Sequence, residues 1–350
     1  MMRETEGDTL RVAMYYSNND VRVEEMPIPE IDPSEMLVKV LASGICGSDV
    51  MEWYRVRKAP LVLGHEISGE VEEVGDEVDD FQAGDRVFVS HHVPCMECKY
   101  CLAGHFTVCD MLRTTNYYPG GFAEYIRVPE VNVDRGVFRL PEEMTCEEGV
   151  FIEPLGCVAR GQDLAGAEPG QTVLVIGSGI TGLLHVKLAK ASRAGRIIAT
   201  DMVDYRLEAA RRFGADETIK ATEDVPAKVV ERNGGKKADL VIVCTGSPRA
   251  IDQGLNSVDR GGTILFFAPT EPGLSIPIPF NELWREEVTT VGSYGASPED
   301  LETAIDLIDS GLVNVQDMIT HRLGLAETGL GFRLVAEARE SMKVIIEPQR

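Results

Sequence analysis

With 57 acidic against 34 basic side chains in 350 residues, the chain carries a formal charge of −23 and would repel phosphate backbones and anionic lipid. Its length suits two domains, and a hydrophobic fraction of 44% with 34 glycines reads as globular, with no run near the roughly 20 apolar residues of a membrane span. Nucleic-acid and membrane partners are thereby excluded. The start, Met1-Met2-Arg3-Glu4-Thr5-Glu6, has no apolar stretch to act as a signal, so the expected location is the cytoplasm, where cysteines stay reduced.

From Leu37 to Val89 short apolar runs (Leu37-Val38-Lys39-Val40, Gly69-Glu70-Val71, Arg86-Val87-Phe88-Val89) alternate with Gly and Asp, which predicts strands joined by tight turns. Residues 1–154 are therefore expected to form a mainly β domain. Within it Cys95, Cys98, Cys101 and Cys109 are spaced C-x2-C-x2-C-x7-C, and four thiolates on one short loop can close a tetrahedron around structural zinc. A catalytic zinc keeps one position open and takes about three ligands from distant parts of the chain. Cys46, His65 and a later carboxylate fit that description. His91, His92 and His105 flank the cysteine loop and are read as surface or core residues, and Cys146, Cys157 and Cys244 as buried small hydrophobes.

After Pro169-Gly170 the rhythm changes. Thr172–Ile176 predicts a strand and the residues through Lys190 a helix; strand-and-helix units recur from Arg196 to about Phe213 and from Asp239 to about Val258, and Thr263–Phe267 adds a further strand. This alternation implies a doubly wound parallel sheet over residues 155–293. Gly177-Ser178-Gly179-Ile180-Thr181-Gly182 follows the first strand and opens a helix, the context in which G-x-G-x-x-G binds a dinucleotide pyrophosphate. Gly177, Gly179, Ile180 and Gly182 would hold the phosphates. Asp201, ending the second strand, would accept from the ribose hydroxyls and repel a 2′-phosphate, which favours NAD; Arg206 nearby pulls the other way. Thr245, just past the Asp239–Val243 strand, joins the cofactor set. A helix from about Pro298 to Ser310 and a short final strand, Met342–Ile346, remain. That strand needs an existing sheet, so residues 294–350 are expected to return to the N-terminal domain.

The segments Gly44-Ile45-Cys46-Gly47-Ser48-Asp49 and Gly64-His65-Glu66, the four-cysteine loop and the dinucleotide motif resemble, in order and spacing over nearly the whole chain, the zinc-dependent medium-chain alcohol dehydrogenase family. Ile152-Glu153-Pro154-Leu155, Thr200-Asp201 and Ile319-Thr320-His321-Arg322 look most like its polyol branch around sorbitol (L-iditol) dehydrogenase. The resemblance implies an α/β protein with a GroES-like mainly β catalytic domain and a Rossmann doubly wound domain, the active site lying in the cleft between them. It implies two zinc ions per chain, one catalytic and one structural, with NAD as cofactor and a homodimer or homotetramer as assembly. Cys46 and His65 match the first two catalytic ligands; either Glu66 or Glu153 would be the third. Asp49 would orient His65, and Ser48 would take the substrate's proton.

The reaction implied is hydride transfer from a secondary alcohol of a small polyol, sugar or cyclitol to NAD, leaving a ketone. L-Threonine, glucose and sugar-phosphate dehydrogenases are the alternatives within the family; Glu153-Pro154-Leu155-Gly156 stands where the threonine branch has Asp-Pro-Phe-Gly. A non-catalytic binding or structural protein on this fold is the remote one, and its mark would be missing ligands. Two positions depart from the family's pattern. Met51 stands where many members carry a proton-relaying histidine, and Gly295-Ala296 stand where polyol members carry an Arg-Tyr pair on the substrate. Trp53, Tyr54, Tyr117, Tyr118, Phe122 and Tyr294 are the aromatic candidates for the substrate pocket.

Overall fold

Short runs of apolar and β-branched residues build most of the N-terminal part of the chain, in a computed structural model that describes residues 9–350. The strands are β1 (Thr9–Ser17), β2 (Asp20–Pro27), β3 (Met36–Gly44), β4 (Leu61–Val62), β5 (Glu66–Val74), β6 (Arg86–Val89), β7 (Tyr125–Val128) and β8 (Val137–Arg139). Short helices lie among them: α1 (Glu52–Arg55), α2 (Glu130–Gly136) and α3 (Cys146–Gly149), the last opened by a Thr145–Glu148 capping box. Contacts divide the chain into two units, one running to Glu153 and resuming over Ala296–Arg350, the other spanning Pro154–Gly295. The helix α4 (Ile152–Leu164) carries the first boundary in its first turn.

The second unit alternates strand and helix: β9 (Thr172–Ile176), α5 (Ile180–Ala191), β10 (Arg196–Asp201), α6 (Asp204–Phe213), β11 (Glu217–Lys220), α7 (Val225–Arg232), β12 (Ala238–Val243), α8 (Pro248–Ser257), β13 (Val258–Phe266), α9 (Phe280–Arg285) and β14 (Thr289–Gly292). Its six strands are all parallel in the order β11-β10-β9-β12-β13-β14. The inner strands read as unbroken apolar runs because both faces are covered; Val241, Ile242, Leu174 and Val175 are fully buried. The strand order reverses at β9, so the crevice beyond its carboxyl end is a topological switch point, where ligands of such sheets bind.

The chain then returns through α10 (Pro298–Asp309), capped by Ser297 and Asp300, β15 (Ile319–Gly324), α11 (Thr328–Glu337) and β16 (Lys343–Glu347). β16 lies between β15 and β3 in a sheet ordered β15-β16-β3-β5-β6-β8, with β7 also on β3. Ile345 pairs with Gly44 and Ile346 with Ser43, so the end of the chain supports the strand that leads into Cys46. Met36, Val38, Val40, Ile67, Val87, Val89 and Ile126 form the core of this sheet. Among the described residues no helix is long and apolar enough to cross a membrane.

Candidate metal centres and cofactor cradle

The end of β3 and the start of β5 are adjacent because Gly44 pairs with Glu66 across the antiparallel ladder. This register brings residues far apart in sequence into one group: ligand atoms of Cys46, His65 and Glu66 lie within 4.8 Å of one another. A tight turn after Cys46, closed by Asp49 N donating to Cys46 O at 3.0 Å, folds Asp49 back beneath it. The Asp49 carboxylate is fully buried; it accepts from the Cys46 amide at 3.0 Å and stands 3.3 Å from His65 Nδ1. A carboxylate there holds the proton on Nδ1 and leaves Nε2 free as a metal donor, the usual support of a ligating imidazole. Burial alone would raise the Asp49 carboxyl's pKa, but His65, Arg55 and the Cys46 amide outweigh it and hold the group below its ordinary value.

Arg55, at the end of α1, was not among the residues singled out from sequence. Its guanidinium donates to Ser48 O at 3.0 Å and to Ser48 Oγ at 3.1 Å, and it pairs with Asp49 at 3.3 Å. One cation thus fixes both Ser48 and the carboxylate behind His65. Glu153 is half-buried in the first turn of α4 and is not part of the three-residue group. Its charge still reaches the neighbourhood, since burial and then Asp49, Glu153 and Glu66 together raise the Tyr117 hydroxyl's pKa. Of the candidate pocket aromatics, Tyr117 and Phe122 are core residues: Tyr117 is buried with its hydroxyl donating to Gly64 O at 3.3 Å, and Phe122 packs edge-on to Phe332.

His91 and His92 are partly buried and belong to neither donor group, in keeping with their reading as surface or core residues. The His91 ring lies 4.9 Å from that of His65 and 3.7 Å from that of His92, so the pair borders the candidate catalytic site. Burial, with His65, Arg55 and Lys58 nearby, pushes His92 down to about 4, and burial with its cationic neighbours pushes His91 well below its ordinary value. Nothing in the sequence marked this contact, because it arises from the position of β6 beside β5.

The four cysteines converge in the loop after β6. Sγ separations are 3.5 Å for Cys98–Cys101, 3.6 Å for Cys95–Cys109 and 3.9 Å for Cys95–Cys101. A tetrahedron of sulfurs about 2.3 Å from zinc has edges of about 3.8 Å, so the donor set fits that ion. Backbone amides point at the sulfurs, Cys98 N to Cys95 Sγ and Cys95 N to Cys109 Sγ. Burial opposes ionisation of Cys109, yet the amides of Cys95, Leu112 and Met111 bring its thiol down to about 6, while burial and the neighbouring thiols push Cys101 up to about 12. A divalent cation is what lets all four ionise together.

In the second unit β9 is followed at once by Gly177, whose φ of +94° turns the chain toward α5. Gly182 packs so closely beneath that a Cβ would collide with Gly177 O. Gly179 is the N-cap of α5 and offers no side-chain cap, so the amides from Ile180 onward have no partner of that kind and form an anion cradle. Asp201 lies behind the loop, accepting from Ser178 N and from Val203 N, each at 2.8 Å. It does not cap α6, whose N-cap is Val203. Arg206 reaches the loop from α6, its Nη1 3.9 Å from the Cβ position of Gly179, and Thr245 lies 3.5 Å from that of Gly177. The predicted cofactor residues therefore surround a single loop.

Comparison with known proteins identifies both parts of the chain. Residues 32–142 match the alcohol dehydrogenase GroES-like domain and residues 181–310 the zinc-binding dehydrogenase domain. The chain is 31% identical to sorbitol dehydrogenase of Bacillus subtilis over the full length of both, and 34% identical to "Probable D-xylulose reductase A" of Aspergillus clavatus over 94% of each. A Sinorhizobium meliloti protein solved bound to NADP superposes with a TM-score of 0.87 at 29% identity, covering 97% of this chain and 99% of that one. The chain belongs to the zinc-dependent medium-chain alcohol dehydrogenase family, alongside the members named sorbitol dehydrogenase and D-xylulose reductase.

Proposed function

We propose that the protein is a zinc-dependent dehydrogenase that oxidises a secondary alcohol of a polyol, sugar or cyclitol to a ketone, with NAD accepting the hydride. The observation that carries this reading is the Cys46, His65 and Glu66 group with Asp49 buried behind His65. The relatives' names support the substrate class. Residues 1–154 and 294–350 would make up the catalytic domain and residues 155–293 the cofactor domain.

Zinc, when bound, polarises a substrate hydroxyl and makes its proton easier to lose. Cys46 and His65 hold the ion with a carboxylate, for which Glu66 is the better placed, and Glu153 stays nearby to accept or pass a proton. Asp49 fixes the His65 tautomer. Ser48 Oγ accepts the substrate's proton as it passes its own onward, acting as a relay and not as a base, and Arg55, donating to the same oxygen, fixes the hydroxyl's orientation. Met51 carries no proton, so the onward route runs through water, the cofactor ribose or Glu153. Gly177, Gly179, Ile180 and Gly182 cradle the pyrophosphate, Arg206 and Thr245 border it, and Asp201 favours NAD over NADP. Cys95, Cys98, Cys101 and Cys109 hold the structural zinc. Exposed β14, at the open edge of its sheet, supports a homodimer or homotetramer.

The test is NADH formation by zinc-loaded protein across polyols, cyclitols, aldoses, sugar phosphates, L-threonine and simple alcohols, with metal content measured on the same sample. Activity confined to one polyhydroxy class, with about two zinc ions per chain, is expected from the paired donor sets. Turnover of simple primary alcohols alone, or faster reaction with NADP, would overturn the substrate or cofactor assignment.

A further inference from the structure

Lys343 is fully buried, a rare place for an ammonium group, and it is aimed at the candidate metal centre. It opens β16, and its Nζ donates to Glu66 Oε2 in an ion pair whose two side chains are both wholly buried. Room for the pair comes from Gly44: a Cβ there would collide with Glu66 Oε2 and stand 2.7 Å from Lys343 Cε. Phe151 lies under the ammonium, its ring centroid 5.5 Å from Nζ. The other carboxylate oxygen, Glu66 Oε1, is buried without a hydrogen-bond partner among the described residues. A buried ion pair adds little net stability over apolar residues of the same volume, so its meaning lies in where it sits.

The two oxygens of Glu66 therefore have different fates. One is held by Lys343; the other is unsatisfied, on a carboxylate grouped with Cys46 and His65. Resting on the reading of those three residues as zinc ligands, we propose that Lys343 is a positioning residue that restricts Glu66 to one-oxygen ligation and so keeps a coordination position open for substrate. A carboxylate binding through both oxygens would fill that position. The ammonium also draws charge from the carboxylate and leaves the ion the stronger electrophile, since thiolate and carboxylate together already neutralise a divalent cation.

The test compares wild type with Lys343→Met and Lys343→Arg, reading zinc release to a chelator, the visible absorption of cobalt substituted at this centre, and kcat and KM separately. Lys343→Met frees Glu66 Oε2, so zinc is expected to be released more slowly and the cobalt spectrum to weaken as coordination rises above four. kcat is expected to fall about 10–100-fold with little change in KM, the usual range for groups that support metal ligands. Lys343→Arg, which keeps a cation on Oε2, is expected to restore the spectrum and most of kcat. Should Lys343→Met not fold, Lys343→Gln, a donor without charge, takes its place, with the same slower release and weaker spectrum expected to a lesser degree. Loss of zinc in parallel with activity would reduce Lys343 to a structural prop and overturn the proposal, as would a variant indistinguishable from wild type. A Cys46→Ser protein that keeps its full zinc complement would instead overturn the ligand assignment on which the proposal stands.

Discussion

His185 ties the stability of the second unit to pH through a single proton. The ring is fully buried on α5; Gln162 Nε2 lies 3.2 Å from Nδ1 and donates to the His185 carbonyl at 3.0 Å, while Nε2 has no hydrogen-bond partner among the described residues and the ring stands edge-on to Phe267 with centroids 4.6 Å apart. No carboxylate is bonded to it, so burial disfavours the imidazolium and pushes the group down to about 3 from 6.5. Between those two values the unfolded chain binds a proton that the folded chain does not, so stability rises with pH across that window. The contribution is complete above about 6.5 and is lost as pH falls toward 3, by at most about 1.4 kcal/mol per pH unit. His185→Leu removes the proton site and is expected to flatten this slope relative to wild type. Urea melts of both proteins at neutral pH and near pH 5 check it: the wild type should lose ground to the variant on acidification, and a constant gap would show that the ring does not titrate on unfolding.

At the scale of elements the cysteine loop is the part whose folding depends most on something other than apolar burial. Its core consists of Cys101, Cys109 and Leu112, with Cys95, Cys98 and Phe106 packed around them, so four of its six members are thiols. Little apolar surface remains to order the loop without a metal, and structural zinc contributes folding free energy directly. Cys98→Ser is expected to lower zinc content by about one ion per chain and to reduce stability by a few kcal/mol. Limited proteolysis with metal analysis checks this, with the first cut expected within the loop after β6; an unchanged cleavage pattern would show that the loop is held by its protein contacts alone. This loop and the glycine cradle were legible in the sequence because their chemistry is local: a few residues at fixed spacing hold the whole arrangement. The buried strands β9, β10 and β12 were legible as unbroken apolar runs. β11, with the sequence Glu217-Thr218-Ile219-Lys220, and β14, Thr289-Thr290-Val291-Gly292, were not, since each is four residues long and gains its register only from a neighbouring strand. Arg55, the His91–His92 pair and Lys343 were missed for a related reason. Lys343 stands 277 residues from Glu66, and only the return of β16 onto β3 brings them together.

At the scale of the whole molecule, self-association turns on the edge of the parallel sheet. β14 is its last strand; Thr289, Thr290 and Gly292 are exposed, and among the described residues no strand pairs with its outer row of backbone groups. The segment leading into it carries Ile278, Phe280 and Trp284, of which Phe280 and Trp284 are 69% and 70% exposed. An uncovered edge strand beside exposed aromatic residues is a template for association, and monomeric proteins ordinarily blunt such edges with charge, proline or a bulge. Against this stands the formal charge of −23 on each chain, which repels a second copy. Association through this edge would have to come from the apolar segment and the strand, and salt would strengthen it by screening the repulsion. Light scattering after size exclusion is expected to give a dimer or tetramer mass at micromolar concentration, held more tightly as ionic strength rises. Trp284→Glu, which puts another negative charge into the apolar segment of an already acidic surface, is expected to shift that mass toward the monomer while leaving the fold intact by circular dichroism. A wild-type monomer, or a variant that keeps its full mass and the same salt response, would mean that this edge is not where copies of the chain meet.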